Sequence, residues 1–233
     1  MDQALIDDIA VFPLPGCREP LSSLSHMLGA FVFAAMAILL IRRGRGDWVR
    51  TGSLVVMAAS SVLLLILSSA YHLTWPGPVR DFLLRADVAG IFLLIAGSMT
   101  PVHAILFSGR SRWIALVLIW TTAVLGILLR MIYHEFVTDA VGVSIFLLCG
   151  WGSLVTAIIL WRRYGWGFIK PAVFAGASYT LGAIVLLLHG PTLVHGVLGP
   201  HELWHFAVLC GLSMHWRFVF QFASGPDSTL AAS

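Results

Sequence analysis

The sequence predicts an all-α integral membrane protein, built as a bundle of seven transmembrane helices. Of its 233 residues, 59% are apolar and 11% are charged, and the mean hydropathy is +0.92. A soluble domain carries about 25% charged residues, so this chain has too few polar side chains to cover a surface facing water. The same composition excludes an intrinsically disordered chain, which needs low hydrophobicity and high net charge.

Seven apolar stretches are long enough to cross a bilayer, for which a helix needs about 20 residues. In order, they cover residues 24–41, 50–73, 83–107, 112–130, 140–161, 170–189 and 203–223. Because they use most of the chain, we expect one domain over residues 1–233, with short tails at 1–23 and 224–233. The alternating segments of about ten residues that are typical of an outer-membrane barrel are absent.

The charged residues and cysteines exclude several classes of partner and scaffold. The net charge of +3 comes from 14 basic residues that are spread through the loops, so no nucleic-acid partner is expected. Three cysteines provide no disulfide framework: Cys17, Cys149 and Cys210. The first twenty residues lack a basic segment followed by an apolar one, so we expect no cleavable signal peptide.

The basic residues also predict an orientation, because Lys and Arg are concentrated in cytoplasmic loops. The first, third and fifth loops hold nine of them: Arg42, Arg43, Arg45, Arg50, Arg110, Arg112, Arg162, Arg163 and Lys170. The other loops and the N-terminal tail hold four: Arg18, Arg80, Arg85 and Arg130. This difference predicts an N-terminus outside the cell and a C-terminus in the cytoplasm.

Polar residues at the ends of three predicted helices are the candidate functional residues, because ionisable groups inside a membrane are costly. Ser68 and His72 are four residues apart at the end of the second helix, and His201 and His205 have the same spacing at the start of the seventh. Residues four apart share one helix face. Asp87 lies near the start of the third helix, so all five residues are expected on the same side of the membrane.

Three imidazoles and a carboxylate at one depth are typical of a catalytic zinc site, which uses three protein ligands and keeps one position for water. Zinc lowers the pKa of that water to about 7, and Asp87 has the chemistry to accept its proton. Ser68 would support this arrangement by hydrogen bonding. A lone membrane histidine more commonly bonds a neighbouring helix, but the shared depth of His72, Asp87 and the histidine pair favours a metal.

The segment from His201 to His205 also reads as an HExxH string, with Glu202 in the position of a metalloprotease general base. An intramembrane protease is therefore an alternative. Against it, the nearest downstream ligand candidate is His215, and ten residues of helix displace it by about 15 Å.

These motifs resemble the haemolysin III / progestin and adipoQ receptor (PAQR) family, and the lack of soluble extensions resembles its bacterial haemolysin III branch. Seven residues carry the resemblance, which runs from about residue 19 to residue 222: Glu19, His26, Ser68, His72, Asp87, His201 and His205. The resemblance implies seven helices in a bacterial plasma membrane and a zinc ion bound by three of these residues, His72, His201 and His205. It also implies water near the metal, with Asp87 and Ser68 close by.

The family belongs with alkaline ceramidases, which implies hydrolysis of a lipid amide or ester. Zinc is the cofactor and a membrane lipid the substrate or ligand in this hypothesis. A receptor or membrane regulator with structural zinc is the second hypothesis, and direct coordination by Asp87 would favour it, since closed structural sites have four protein ligands. A pore-forming haemolysin is the third, disfavoured because intramembrane charges are few and lie on one side.

The remaining polar residues have weaker signals. Glu19 and His26 are expected on the zinc side, either lining an entrance or as an ordinary tail carboxylate and an interfacial histidine. His189 and His195 flank an uncharged sixth loop, where loop packing is favoured over gating. Three other sites have structural explanations, namely an interfacial position for His103, a helix–helix bond for His215, and ordinary loop positions for His134 and Glu135.

Overall fold

The computed structural model describes residues 11–133 and 139–226, and these residues form α-helices joined by short connections. The helices are α1 (Pro20–Arg43), α2 (Trp48–Leu73), α3 (Pro78–Leu106), α4 (Gly109–Ile132), α5 (Asp139–Trp151), α6 (Leu154–Leu187) and α7 (Pro200–Phe222). The described part of the chain contains isolated β-bridges but no β-strand. The expectation of an all-helical fold is confirmed.

The starts of the helices follow from local sequence. Pro20, Pro78 and Pro200 each occupy the first turn of a helix, where a missing N–H costs nothing and the fixed φ favours helical backbone. Asp47 caps α2, since its carboxylate accepts a hydrogen bond of 2.9 Å from the backbone N–H of Arg50. These signals start α1 and α3 several residues before the apolar stretches predicted at 24–41 and 83–107.

The fifth and sixth predicted stretches, 140–161 and 170–189, differ most from the observed helices. A turn follows α5, and α6 then runs through both predictions. Gly165 interrupts α6 with non-helical torsions, φ 83° and ψ 175°. Glycine adopts positive φ without steric cost, so this break divides α6 where apolar composition alone shows no boundary.

The second and third helices form the centre of the bundle. Of the most apolar 18 residues of each helix, 56% are buried in α2 and 61% in α3. The same fraction is 17% in α4, which therefore lies at the periphery. The main core joins these two helices to α1, α6 and α7. Trp216 of α7 is fully buried there and donates a 3.2 Å hydrogen bond to the Oγ of Ser61 in α2.

The outer surface is that of a membrane protein. Five segments of the described chain are long and apolar enough to cross a bilayer: Pro20–Arg43, Trp48–Leu73, Pro78–Leu106, Gly109–Ile132 and Val141–Leu187. The last of these is 47 residues long and contains the break at Gly165. Large apolar side chains such as Phe31 and Leu148 are about 70% exposed, as expected for contact with lipid.

The segment before α1 lies across the end of the bundle at which α2 ends and α7 begins. Phe12 donates a 2.7 Å backbone hydrogen bond to the carbonyl of Gly196, and its ring contacts His195. The uncharged sixth loop is therefore packed against the N-terminal segment. The predicted loop residues His134 and Glu135 lie outside the described residues.

Candidate metal centre

Three histidine side chains converge where α2 ends and α7 begins. The Nε2 atom of His201 lies 3.3 Å from the Nε2 of His72 and 3.1 Å from the Nε2 of His205. One ligand nitrogen from each residue lies within 4.8 Å of the other two. His72 and His205 are buried and His201 is partly exposed, so the group is open on one side.

Local structure explains the convergence. His72 is in the last turn of α2, while His201 and His205 are in the first turns of α7 and share one face. Serines of α1 fix the two helix ends relative to each other. The Oγ of Ser23 donates to the carbonyl of Ser69 at 3.0 Å, and the Oγ of Ser22 donates to Glu202 at 3.0 Å.

The spacing of the nitrogens fits a tetrahedral metal site. Zinc binds imidazole nitrogen at 2.0–2.1 Å, so two nitrogens of a tetrahedral site lie about 3.3 Å apart. The distances of 3.1 and 3.3 Å agree with this value. Unprotonated nitrogens at such distances repel each other unless a proton or a cation lies between them, so the group has the chemistry of a cation site.

Glu19, which the sequence predicts at an entrance, contacts one of these histidines directly. Its Oε2 forms a hydrogen bond with the Nδ1 of His72, and its Oε1 accepts a 2.6 Å hydrogen bond from Arg80. Burial raises the pKa of Glu19, but the hydrogen bond with His72 and the nearby positive charges outweigh burial and lower the pKa to about 2. The carboxylate is therefore ionised at neutral pH.

Arg80 is the residue that sequence reasoning missed, because it was counted only as a loop charge. It is 7% exposed and lies in the first turn of α3. Nothing in the spacing of the sequence links it to Glu19, which lies 61 residues away. The only signal in the sequence is that Arg80 lies between two candidate residues, His72 and Asp87.

Ser68 and Asp87 are close together but do not belong to the histidine group. The Ser68 side chain interacts with the carboxyl group of Asp87, which joins the end of α2 to the start of α3. Among the described residues, the cluster able to hold a metal consists of His72, His201 and His205. Three protein ligands, rather than four, are thus brought together.

His26 is also buried, at 3% exposure, rather than lying at an open entrance. Its ring is stacked on that of His205, with centroids 3.9 Å apart and an angle of 23° between the planes. Neither of its ring nitrogens forms a hydrogen bond of good geometry with the described part of the chain. His26 therefore supports the position of His205 but does not belong to the cluster able to hold a metal.

Both carboxylate oxygens of Glu202 are used in structural hydrogen bonds. Oε2 accepts from the backbone N–H of Gly199 at 3.0 Å, which caps α7, and Oε1 accepts from Ser22. The side chain is 2% exposed. The HExxH string thus arises from a helix cap between two histidines.

The other intramembrane histidines have structural partners. His215 interacts through Nε2 with the carbonyl of Ser98 in α3 at 3.0 Å, which confirms the expected bond to another helix. His103, in the last turn of α3, is buried, and Thr156 of α6 lies 3.3 Å from its Nε2 and supplies a polar partner. Its expected position at the membrane interface stays a prediction.

Comparison with known proteins agrees with these motifs. The model of a family described as haemolysin-III related matches residues 17–216. A protein named Hemolysin-3 from Bacillus cereus is 28% identical over 200 residues, which cover 84% of this chain and 88% of the relative. A Hemolysin-3 homolog from Bacillus subtilis (strain 168) is 22% identical over 197 residues, covering 83% of this chain and 89% of that protein.

Proposed function

This chain belongs to the haemolysin-III-related family of membrane proteins, and we propose that it is a zinc-dependent hydrolase acting on a lipid amide or ester, similar to a ceramidase. The convergence of the three Nε2 atoms of His72, His201 and His205 is the observation that carries this proposal. Three imidazole ligands favour zinc over the harder cations, which prefer oxygen.

The number of ligands supports catalysis over a purely structural role. Catalytic zinc sites have three protein ligands and an open fourth position, whereas structural sites are closed by a fourth protein ligand. Asp87 stands outside the histidine group, and His201 is partly exposed. A receptor with structural zinc remains the second hypothesis, and it would require a fourth protein ligand.

In this proposal each residue of the site has a separate task. Zinc held by the three histidines would supply a Lewis acid and lower the pKa of water to about 7. The Asp87 carboxylate would accept the proton of that water, and the Ser68 side chain would hold the carboxylate in position. The lipid substrate would enter sideways between helices, because the exposed faces of the bundle are apolar.

We also propose the topology. Dividing the apolar segment Val141–Leu187 at Gly165 into two spans, and adding these two and α7 to α1–α4, gives seven spans. The basic residues then put the N-terminus and the zinc side outside the plasma membrane and the C-terminus in the cytoplasm.

The experiment is the zinc content of the purified protein in detergent, measured beside His205→Ala. We expect about one zinc ion per chain in the wild type and a large loss in the variant, because two imidazoles cannot complete a three-ligand site. His215→Ala is the matched control, since it removes a buried histidine of the same helix that lies outside the cluster. A folded wild type that takes up no zinc would refute the hydrolase.

Hydrolysis is tested next with zinc-loaded protein and a panel of lipid amides and esters. We expect release of fatty acid from one class, and loss of release on chelation. Turnover that persists in zinc-free protein would contradict the mechanism.

A further inference from the structure

We propose that Glu19 is the positioning residue of the metal centre, fixing His72 as the tautomer whose Nε2 is free to bind the metal. This inference rests on the proposed metal centre and adds to it a residue outside the ligand set. Ligand histidines generally donate their second ring N–H to a carboxylate or carbonyl, which sets the orientation of the ring and raises the basicity of the ligand nitrogen.

The two oxygens of Glu19 have different partners, and this division determines what the side chain does. Oε2 faces the Nδ1 of His72, so the ring proton lies on Nδ1 and the lone pair on Nε2. Oε1 accepts from the Nη2 of Arg80 at 2.6 Å. The carboxylate is therefore held between a cation and a ligand, and it cannot rotate away from His72 without losing the ion pair.

The backbone around Glu19 is fixed independently of its side chain. The N–H of Glu19 donates to the carbonyl of His72 at 3.0 Å, and the N–H of Ser23 donates to the carbonyl of Glu19 at 2.9 Å. The first bond joins the start of α1 to the end of α2, and the second closes the first turn of α1. A substitution at residue 19 therefore removes the carboxylate while the backbone bonds that hold this position remain.

Arg80 completes the arrangement from the third helix. Its Nη1 donates to the carbonyls of Tyr71 at 3.0 Å and Thr74 at 2.6 Å, and its guanidinium group lies 4.2 Å from the centre of the Tyr71 ring. Arg80 thus binds the last carbonyls of α2 and the carboxylate that orients His72. The end of α2 is held from two sides, by Glu19 and by Arg80.

The support for the other two ligands does not come from a carboxylate. Within residues 11–133 and 139–226, no carboxylate forms a hydrogen bond or ion pair with His201 or His205. Those histidines are one helical turn apart on the rigid start of α7, so their spacing is set by the helix. His72 comes from a different helix, and its orientation needs a separate constraint.

The experiment compares zinc affinity and the cobalt absorption spectrum of purified full-length wild type, Glu19→Ala and Glu19→Gln. We expect Glu19→Ala to weaken zinc binding by about 10- to 100-fold, the usual effect of removing a partner of a ligand histidine. Glu19→Gln should weaken zinc binding less, because an amide oxygen can still accept a hydrogen bond from the Nδ1 of His72. Asp81→Asn is the matched control, because Asp81 is an exposed acid near Arg80 in the first turn of α3.

Cobalt separates a positioning role from a general structural one. At saturating cobalt, we expect an altered visible spectrum for Glu19→Ala and an unaltered one for Asp81→Asn, since only the former frees the His72 ring. If Glu19→Ala fails to fold, Glu19→Gln decides the result by the same two measurements. Unchanged affinity and spectrum in the folded Glu19 variants would refute the positioning role alone, whereas a wild type that binds neither metal would refute the metal centre as well.

Discussion

At the scale of single residues, the centre separates groups that can bind a metal from groups that can move a proton. The Nε2 atom of His201 lies close to those of His72 and His205, while Asp87 interacts with Ser68 and is not part of that cluster. A carboxylate outside the ligand group could act on a water molecule without occupying a coordination position. The two functions can therefore be removed one at a time.

We predict that Asp87→Asn retains zinc and loses most of the hydrolytic rate. General acid–base catalysis contributes about 10²- to 10⁴-fold, and asparagine cannot accept a proton while it remains nearly isosteric with aspartate. Zinc content and turnover of the same preparation check this. Ser68→Ala should reduce turnover less, because it removes only the partner of Asp87. Loss of zinc from Asp87→Asn would instead identify Asp87 as a fourth ligand and favour a structural site.

Glu202 gives a prediction that separates the hydrolase from the protease. Glu202→Gln should retain zinc and lipid hydrolysis, because the amide oxygen can still accept one of the two structural hydrogen bonds. Glu202→Ala should lower the free energy of unfolding by about 1–3 kcal/mol, since it leaves the buried Ser22 hydroxyl without its acceptor. Thermal unfolding in detergent measures this cost. Abolished turnover in a stable Glu202→Gln protein would revive the general-base interpretation.

At the scale of helices, the close contact of α2 and α3 determines where the end of α2 lies. Gly97 of α3 faces Ser60 of α2 so closely that an added Cβ would overlap the serine side chain. The close approach brings the helix that carries Ser68 and His72 against the helix that carries Asp87. The two helices are also the most buried of the bundle.

We predict that Gly97→Ala destabilises the protein by about 1–3 kcal/mol, the usual cost of overpacking a buried contact. Gly176→Ala is the matched control, because Gly176 lies in α6 with no neighbouring atom within 4 Å of an added Cβ. The control should be neutral or slightly stabilising, since alanine favours a helix more than glycine does. The difference between the unfolding temperatures of the two variants measures the cost of overpacking the contact between α2 and α3. Equal temperatures would show that α3 can move away from α2 at no cost.

The first four helices and the histidine pair of α7 could be predicted from sequence because both depend on short-range signals. The length of the apolar stretches predicts α1 to α4, and the i, i+4 spacing predicts that His201 and His205 share a helix face. The break at Gly165 could not be located, since glycine is frequent in membrane helices. The contact between Glu19 and His72 joins residues 53 positions apart, and no periodicity reports such a contact.

At the scale of the whole molecule, the polar groups of the site are concentrated at one end of an otherwise apolar bundle. The opposite end carries the basic residues of the first, third and fifth loops. This asymmetry predicts one orientation in the membrane, with the proposed metal centre on the side away from the basic loops.

Orientation can be measured by labelling intact cells with a membrane-impermeant maleimide after the three native cysteines are replaced by serine. We expect Trp75→Cys, in the exposed connection after α2, to be labelled. Arg45→Cys, in the exposed connection before α2, should react only in opened cells. Labelling of Arg45→Cys alone in intact cells would reverse the orientation and put the zinc side in the cytoplasm.

The distribution of the ligands along the chain has a consequence for synthesis. His72 leaves the ribosome early, but His201 and His205 lie in α7, the last described helix. A nascent chain that has inserted α1 to α6 therefore holds one of the three imidazoles, and it gains the other two within a few residues of each other. Metal acquisition would thus report that the final helix has been inserted, and a product truncated before residue 200 would be recognisable by its lack of bound zinc.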